Sequence, residues 1–443
     1  MGPRGKGGGH HCLTDGWHLN QRGKEEVMGK RKIFAVLTVW VLVLVLVPTL
    51  SMAVDNVKIG IMLPLSGSLA KLGESSKWAD EFAVAEVNAE GGIKSLGGAK
   101  LELVIADTQG KPELGQTIAE QLIHRDKVDI ILGAWNSAVT LPASATAERY
   151  KVPYLVQSSV NMQITDRGFK YVFRSKQMAD RDCSIQLDAI QAIGEKTGVK
   201  AKNFAIVYEN SEWGQGNFEL LKDMLATKKW NMVFNESYAA NAADLTPLIM
   251  KIKAAKPDVM MLTSYLADAI LIAKTSQKQQ LDLMASINGG GGQGDPTYLP
   301  SAGDAADYDL TATEFDVGVF KSPGKAWGKP INDAFKAKYG EDFTMASVEA
   351  YANIWLIKDV LERAASRDKE KIRDAFAKTN YTKGKAMLPI VSKIQFNEKG
   401  QNIYADELVL QAYKGKYHII YPFDLADPDY KLVWPRPKWS ERK

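Results

Sequence analysis

Side chains able to do acid–base, nucleophilic or metal chemistry are scarce in this chain. After residue 53 there is one cysteine, Cys183, and two histidines, His124 and His418. A His-based triad therefore has two starting points, and a zinc site of His and Cys has three ligands to draw on. His124 stands beside Arg125 in a helical stretch and His418 in an alternating strand; both read as framework positions. Met260, Met261 and Met284 fall in buried-strand patterns and read as core. Gly289 to Gly294 formally fits a dinucleotide fingerprint, but Asp295-Pro296 follows where a helix should open, and no acid is placed as the motif requires. No nucleophile–base pair or metal cluster can be assembled, so neither an enzyme nor a cofactor or metal is expected.

The loops at predicted strand ends carry a different chemistry. Segments 64–73, 133–140, 157–162, 208–214, 263–268 and 288–295 are rich in Ser, Gly, Asn and aromatic residues. Their few charges are mainly Lys71, Glu209, Glu212, Asp268 and Asp295. Hydroxyls, amides and rings of this kind suit a small, partly apolar solute. Trp135 and Trp213 both lie on such loops, which favours solute contact over a core role. Ser137 and Ser159 can also cap helices, a role compatible with holding a carboxylate at a helix N-terminus. Asp107 ends a strand and reads as a turn or cap residue.

The elements that must position these loops alternate strand and helix. Strands are predicted at 57–63, 101–106, 128–132, 152–156, 203–208, 231–235, 258–263 and 283–287, from period-two or continuous apolar runs. The first helix should carry Trp78, Phe82, Ala85 and Ala89 on one stripe, start at a Ser75 or Ser76 cap, and end at Gly91-Gly92. Pro112 opens the next helix, with Leu114, Ile118 and Leu122 on one face. Helices follow near 179–195, 214–228, 244–255, 266–279, 326–339, 345–366 and 368–379. Strands near 391–396 and 405–421 close the pattern, the latter broken at Lys414-Gly415. Alternation of this kind predicts an α/β fold with parallel sheets covered on both faces, in two blocks. In such sheets ligands sit at the carboxyl ends of the strands.

Upstream of these blocks, Lys30-Arg31-Lys32, the apolar run Ile33–Val47, Pro48 and the small residues of Ser51-Met52-Ala53 stand in the order of an export signal opened by Met28. The run is shorter than the ~20 residues a membrane-spanning helix needs. Cleavage between Ala53 and Val54 is expected, leaving 1–27 as a leader or misassigned start. Its His10, His11, Cys12 and His18 then lie outside the mature protein. Residues 1–53 hold seven of the 56 basic and three of the 52 acidic residues, leaving 49 of each in the mature chain. That neutrality gives no basis for a nucleic-acid partner. The mature 390 residues suffice for two cores.

Segment 57–93, VKIGIMLPLSGSLAKLGESSKWADEFAVAEVNAEGGI, resembles the opening of periplasmic binding proteins of the leucine/isoleucine/valine-binding family. The likeness continues collinearly through 128–144, 152–175, 204–219 and 396–401. It implies a type I periplasmic binding protein fold: two Rossmann-like lobes joined by three crossovers, near 175, 317 and 396. The implied lobes are 54–175 with 318–395 and 176–317 with 396–425, before a C-terminal tail, 426–443. The resemblance also implies a monomer, hinge closure and an inner-membrane ABC transporter permease as partner. Its ligand positions map here to Trp135, Asn136 and Ser137, to Ser158, Ser159 and Val160, and to Trp213 and Tyr265; Asn288 lies in the next loop, ASINGGGG. The family often has a Thr where Val160 stands. It usually supplies an acid for the ligand ammonium from the loop at 285–291, which here has none; Asp268 or Asp295 are the candidates to replace it. The implied solute is a branched-chain or other apolar amino acid. The alternatives are an amide or aromatic carboxylate, or a sensory ectodomain on the same fold.

Overall fold

A computed structural model describes residues 54–442. The leader and export signal expected at 1–53 lie outside the described residues. Five parallel strands form the first sheet: β1 (Val57–Leu63), β2 (Leu101–Asp107), β3 (Ile130–Gly133), β4 (Tyr154–Val156) and β5 (Val172–Arg174), in the order β2-β1-β3-β4-β5. Helices α1 (Ala70–Ala89), α2 (Pro112–His124), α3 (Ser137–Arg149) and the short α4 (Gln163–Asp166) connect them.

Period two decides which face each strand residue covers. Val57, Ile59, Ile61 and Leu63 of β1 pack on one side with Phe82 and Tyr351, while Met62 turns to the other with Ile118 and Leu122. Each such buried aliphatic side chain contributes about 1.5–3 kcal/mol.

The second sheet runs β14-β13-β10-β9-β8-β6-β7. Its parallel part comprises β6 (Asn203–Glu209), β7 (Asn231–Tyr238), β8 (Val259–Thr263), β9 (Ala285–Gly289) and β10 (Leu310–Thr313). Helices α5 (Ala179–Thr197), α6 (Glu212–Lys228), α7 (Thr246–Ala255), α8 (Leu266–Lys278) and α9 (Tyr298–Ala302) accompany it. The chain then forms α10 (Lys329–Tyr339), α11 (Met345–Ala364) and α12 (Lys369–Ala377). After the small pair β11 (Asn380–Tyr381) and β12 (Ile394–Gln395), it returns to the second sheet as the antiparallel hairpin β13 (Leu408–Tyr413) and β14 (Lys416–Tyr421). Lys414 and Gly415, both left-handed, make the predicted two-residue turn.

The chain thus leaves the first sheet after β5, leaves the second after β10, and re-enters it before β13. In the middle excursion α11 and the connection before it pack back on α1: Tyr351 donates to Glu86 at 2.6 Å, Ser75 to Glu341 at 2.7 Å, and Ser76 to the Ala346 carbonyl at 3.3 Å.

That packing corrects the reading of α1. Ser75 and Ser76 do not cap it; the helix begins five residues earlier and both serines are buried inside it. Gly73 permits the early start, since a Cβ there would stand 2.1 Å from the Pro64 carbonyl oxygen. The buried stripe runs through Leu72, Ala79, Phe82, Ala83 and Val87, whereas Ala85 and Ala89 are exposed. Methyl side chains at 85 and 89 fit either face, and the facing α11 decided the choice. At the other end, the residues after β14 are tied down by Arg436, which donates to Asp309 at 3.1 Å and to the carbonyls of Leu283 and Leu281.

Candidate functional site

The carboxyl ends of the strands of both sheets open on one cavity. Trp135 and Ser137 reach it from the β3–α3 connection, and Ser158, Ser159 and Val160 from the loop after β4. Trp213 comes from the first turn of α6 and Tyr265 from the residue before α8. Seven of the nine residues singled out in the sequence therefore line one space. Asn136 and Asn288 are not among its lining residues: Asn136 precedes α3 and donates to the Tyr265 hydroxyl at 3.3 Å, and Asn288 donates to Ser264 at 3.0 Å within β9.

The aromatic wall is built from the second-sheet side. Ser211 precedes α6 and accepts from the Trp213 amide at 3.2 Å, which fixes the entry of that helix. The rings of Trp213 and Tyr265 then stand 4.9 Å apart. Val160 packs on Trp213, while Trp135 packs with Met345 at the start of α11. Asn161 donates to the Glu212 carbonyl at 2.8 Å, so the loops of the two sheets meet over the cavity.

The hydroxyl wall comes from the first-sheet side. Ser137 is the first residue of α3, where helical N–H groups lack intrahelical partners and attract anions. Its Oγ accepts from the Asn161 amide at 3.4 Å, which leaves its own proton to be donated. Ser159 is more committed: its Oγ lies 2.9 Å from the Trp135 carbonyl oxygen and 2.5 Å from the Thr140 hydroxyl, clasping the two loops together. Neither serine caps a helix with its side chain. Beneath the loop, the fully buried Arg174 donates to the carbonyls of Ser159 and Asn161 at 3.1 and 2.9 Å and to Gln401 at 2.6 Å.

The structure adds an acidic floor that local sequence reading missed. Lys176, Gln177, Asp182, Glu314 and Glu407 also line the cavity, beside Met345 and the glycines 289–291, with Glu349 directly behind. Lys176 and Gln177 belong to the segment after β5, Glu314 follows β10, and Glu407 precedes β13, so each of the three chain crossings contributes. Asp182 stands in the first turn of α5. Lys176 pairs with Glu349 and lies 3.7 Å from Glu314. Burial opposes its charge, yet the carboxylates of Glu314 and Glu349 hold it protonated. Ser158 donates to Glu349, and Gln177 to Glu407. Burial pushes the Asp182 carboxyl up to about 7 against the pull of Lys176, and with their acidic neighbours also raises Glu349 and Glu407 well above the usual carboxylate range.

The two acids proposed from sequence to meet an ammonium are elsewhere. Asp268 accepts the amides of Asn241 and Ala242 at 3.0 and 3.1 Å, and Asp295 accepts from Thr297 at 2.6 and 2.8 Å. Both serve turns, and neither is among the lining residues. Asp107 likewise serves a turn, accepting from Leu65 and Gln109 at 2.8 Å each. The glycine run has a steric role. A Cβ on Gly289 would stand 2.4 Å from Asp182 Oδ1, and one on Gly291 would stand 2.4 Å from the Trp213 ring.

A cleft between two sheets, walled by loops from both, defines a solute-binding protein of the two-lobed type. The model of the periplasmic binding protein family matches residues 56–410, and the chain belongs to that family. A Leu/Ile/Val-binding protein homologue of Brucella abortus (strain 2308) is 30% identical over 385 residues, covering 85% of this chain and 94% of that protein. Among solved structures, a leucine-binding protein of Thermotoga maritima is similar with a TM-score of 0.72 and 22% identity, covering 82% of this chain and 97% of that one. A solute-binding protein of an ABC transporter from Rhodopseudomonas palustris, in complex with 3,4-dihydroxybenzoic acid, gives a TM-score of 0.69 at 22% identity, covering 82% and 95%. The family and fold are those of substrate-binding proteins and not of enzymes.

Proposed function

We propose that this chain is the solute-capturing component of an ABC importer, exported to the periplasm on the signal of residues 28–53 and released by cleavage after Ala53. It works as a monomer that hands a small solute to an inner-membrane permease. Its lobes, 54–175 with 318–395 and 176–317 with 396–425, close about the three crossings.

The solute is a branched-chain or other apolar amino acid. One observation supports this reading: a single cavity is lined both by Ser137, at a helix N-terminus, and by the carboxyl groups of Asp182 and Glu407, together with Trp135, Trp213 and Tyr265. That layout matches a zwitterion with an apolar side chain.

An amide is the second reading, favoured by the indole rings and the acid-free β9 loop. An aromatic carboxylate fits less well, because Lys176, the one cation among the lining residues, is already paired with Glu314 and Glu349. Thermal-shift screening of the mature protein separates the readings. Stabilisation by leucine, isoleucine or valine is expected; stabilisation by amides or benzoates alone would reject the amino-acid reading.

A further inference from the structure

We propose that Asp182 and Glu407 form a carboxyl dyad that receives the solute's ammonium group, and that the ammonium displaces a proton the dyad holds when the site is empty. The inference rests on reading the cleft as an amino-acid site.

The two residues are 225 positions apart in the chain, one on α5 and one on the third crossing. Both line the one cavity, close enough for the Asp182 charge to raise the Glu407 carboxyl. Asp182 is 2% exposed and Glu407 3%. Gln177 satisfies one Glu407 oxygen, while Glu407 Oε2 and Asp182 Oδ1 are buried with no donor.

Burial and neighbouring negative charge oppose ionising both carboxyls, so the pair keeps a proton near neutral pH. Among the described residues, Lys176 is the one nearby cation that relieves this, and it is shared with Glu349 and Glu314; Glu314 itself, Asp406 next to Glu407 and Asp180 near Cys183 add negative charge, and the Cys183 thiol is kept neutral by burial. An arriving R–NH3+ supplies the donors that both orphaned oxygens lack. As it binds, the dyad's O–H gives its proton to solvent, so charge and hydrogens balance: one ammonium in, one proton out. The dyad occupies the role left vacant by the acid-free loop after β9.

Isothermal titration calorimetry at pH 7, in two buffers of different ionisation enthalpy, reads the proton directly. The probes are L-leucine, L-lysine, propionamide and benzoate, added to the full mature protein. Proton release on binding of each amine-bearing probe, and none with propionamide or benzoate, is expected, since the pair holds a proton when the site is empty. Asp182→Asn should abolish the release and weaken amine binding roughly thirtyfold or more, as for loss of one partner of a buried charge pair. Glu407→Gln repeats the test, and circular dichroism establishes that each variant is folded. Leucine binding without proton release, or with unchanged affinity in both variants, overturns the dyad and leaves the amino-acid reading standing. Failure of both amine probes to bind overturns the dyad and the amino-acid reading together.

Discussion

Asn136, from the first-sheet side of the cleft, donates to the hydroxyl of Tyr265, from the second, at 3.3 Å. The bond stands beside the Trp213–Tyr265 ring pair and joins two loops 129 residues apart in sequence. It gives the cleft a polar clasp next to its aromatic wall, so each part can be tested apart from the other.

Replacing Tyr265 by Phe keeps the ring and removes the acceptor. The loss should be small, about 0.5–1.5 kcal/mol, the net value of a typical hydrogen bond. Tyr265→Ala or Trp213→Ala removes the wall itself, and affinity should fall by ~2 kcal/mol or more, roughly thirtyfold. Calorimetric titration of the best thermal-shift binder measures both. Folded alanine variants with unaltered affinity would remove these rings from the site.

Gly289→Ala should disturb the acidic floor. The added Cβ would lie 2.4 and 2.6 Å from the Asp182 oxygens and 2.7 Å from Gln186 Nε2. Overpacking of this kind costs about 1–3 kcal/mol. Urea unfolding should register that loss, and solute affinity should fall with it. An alanine variant as stable and as tight-binding as the parent would show that the glycine's small size is not used.

Stability of the unliganded protein should decline as pH rises from about 4 toward 7 through these groups. Burial raises the carboxyls of Asp182 to about 7 and of Asp309 and Asp316 to about 6. In that window the folded chain binds more protons than the unfolded chain, and the excess protons stabilise it most at the acid end. Asp427 works in the opposite sense: against its partial burial, Lys321 and His418 lower it to about 2, so its contribution is present above about 4 and lost as pH falls toward 2. Melting temperatures across pH 3–8 should therefore peak in the mildly acid range. Asp182→Asn should raise the melting temperature at pH 7.5 while weakening amine binding; a lowered one would contradict the assignment.

Arg436→Ala should destabilise the protein by about 3–5 kcal/mol at pH 7.5, because it leaves Asp309 buried without its cation. The loss should shrink at pH 5.5, where Asp309 can take a proton instead. Guanidinium unfolding at the two pH values gives the comparison. Equal losses at both would mean that the backbone contacts of Arg436, not its charge, hold the C-terminal segment.

The sequence by itself determined the alternation of elements and the loops that meet. Those properties are local: period-two runs such as 57–63, breakers such as Gly91-Gly92, and the hairpin turn at Lys414-Gly415 act within a few residues. The same locality made the loops legible, because they stand at strand ends, where parallel sheets open their clefts, while the family resemblance singled out the positions within them, of which Trp135, Ser137, Ser158, Ser159, Val160, Trp213 and Tyr265 line the cavity. Only the tertiary structure decided where the acids lie. Asp268 and Asp295 look available in the sequence, yet nearby amides and hydroxyls claim them. Asp182, Glu314 and Glu407 look unremarkable in helix and strand flanks, yet the three chain crossings gather them around one lysine. The start of α1 was decided in the same way, by the carbonyl oxygen of Pro64 against Gly73, by Glu341 bonded to Ser75 and by α11 bonded to Ser76. Burial, charge and contact depend on which distant segments meet, and no local pattern of residue types encodes that meeting.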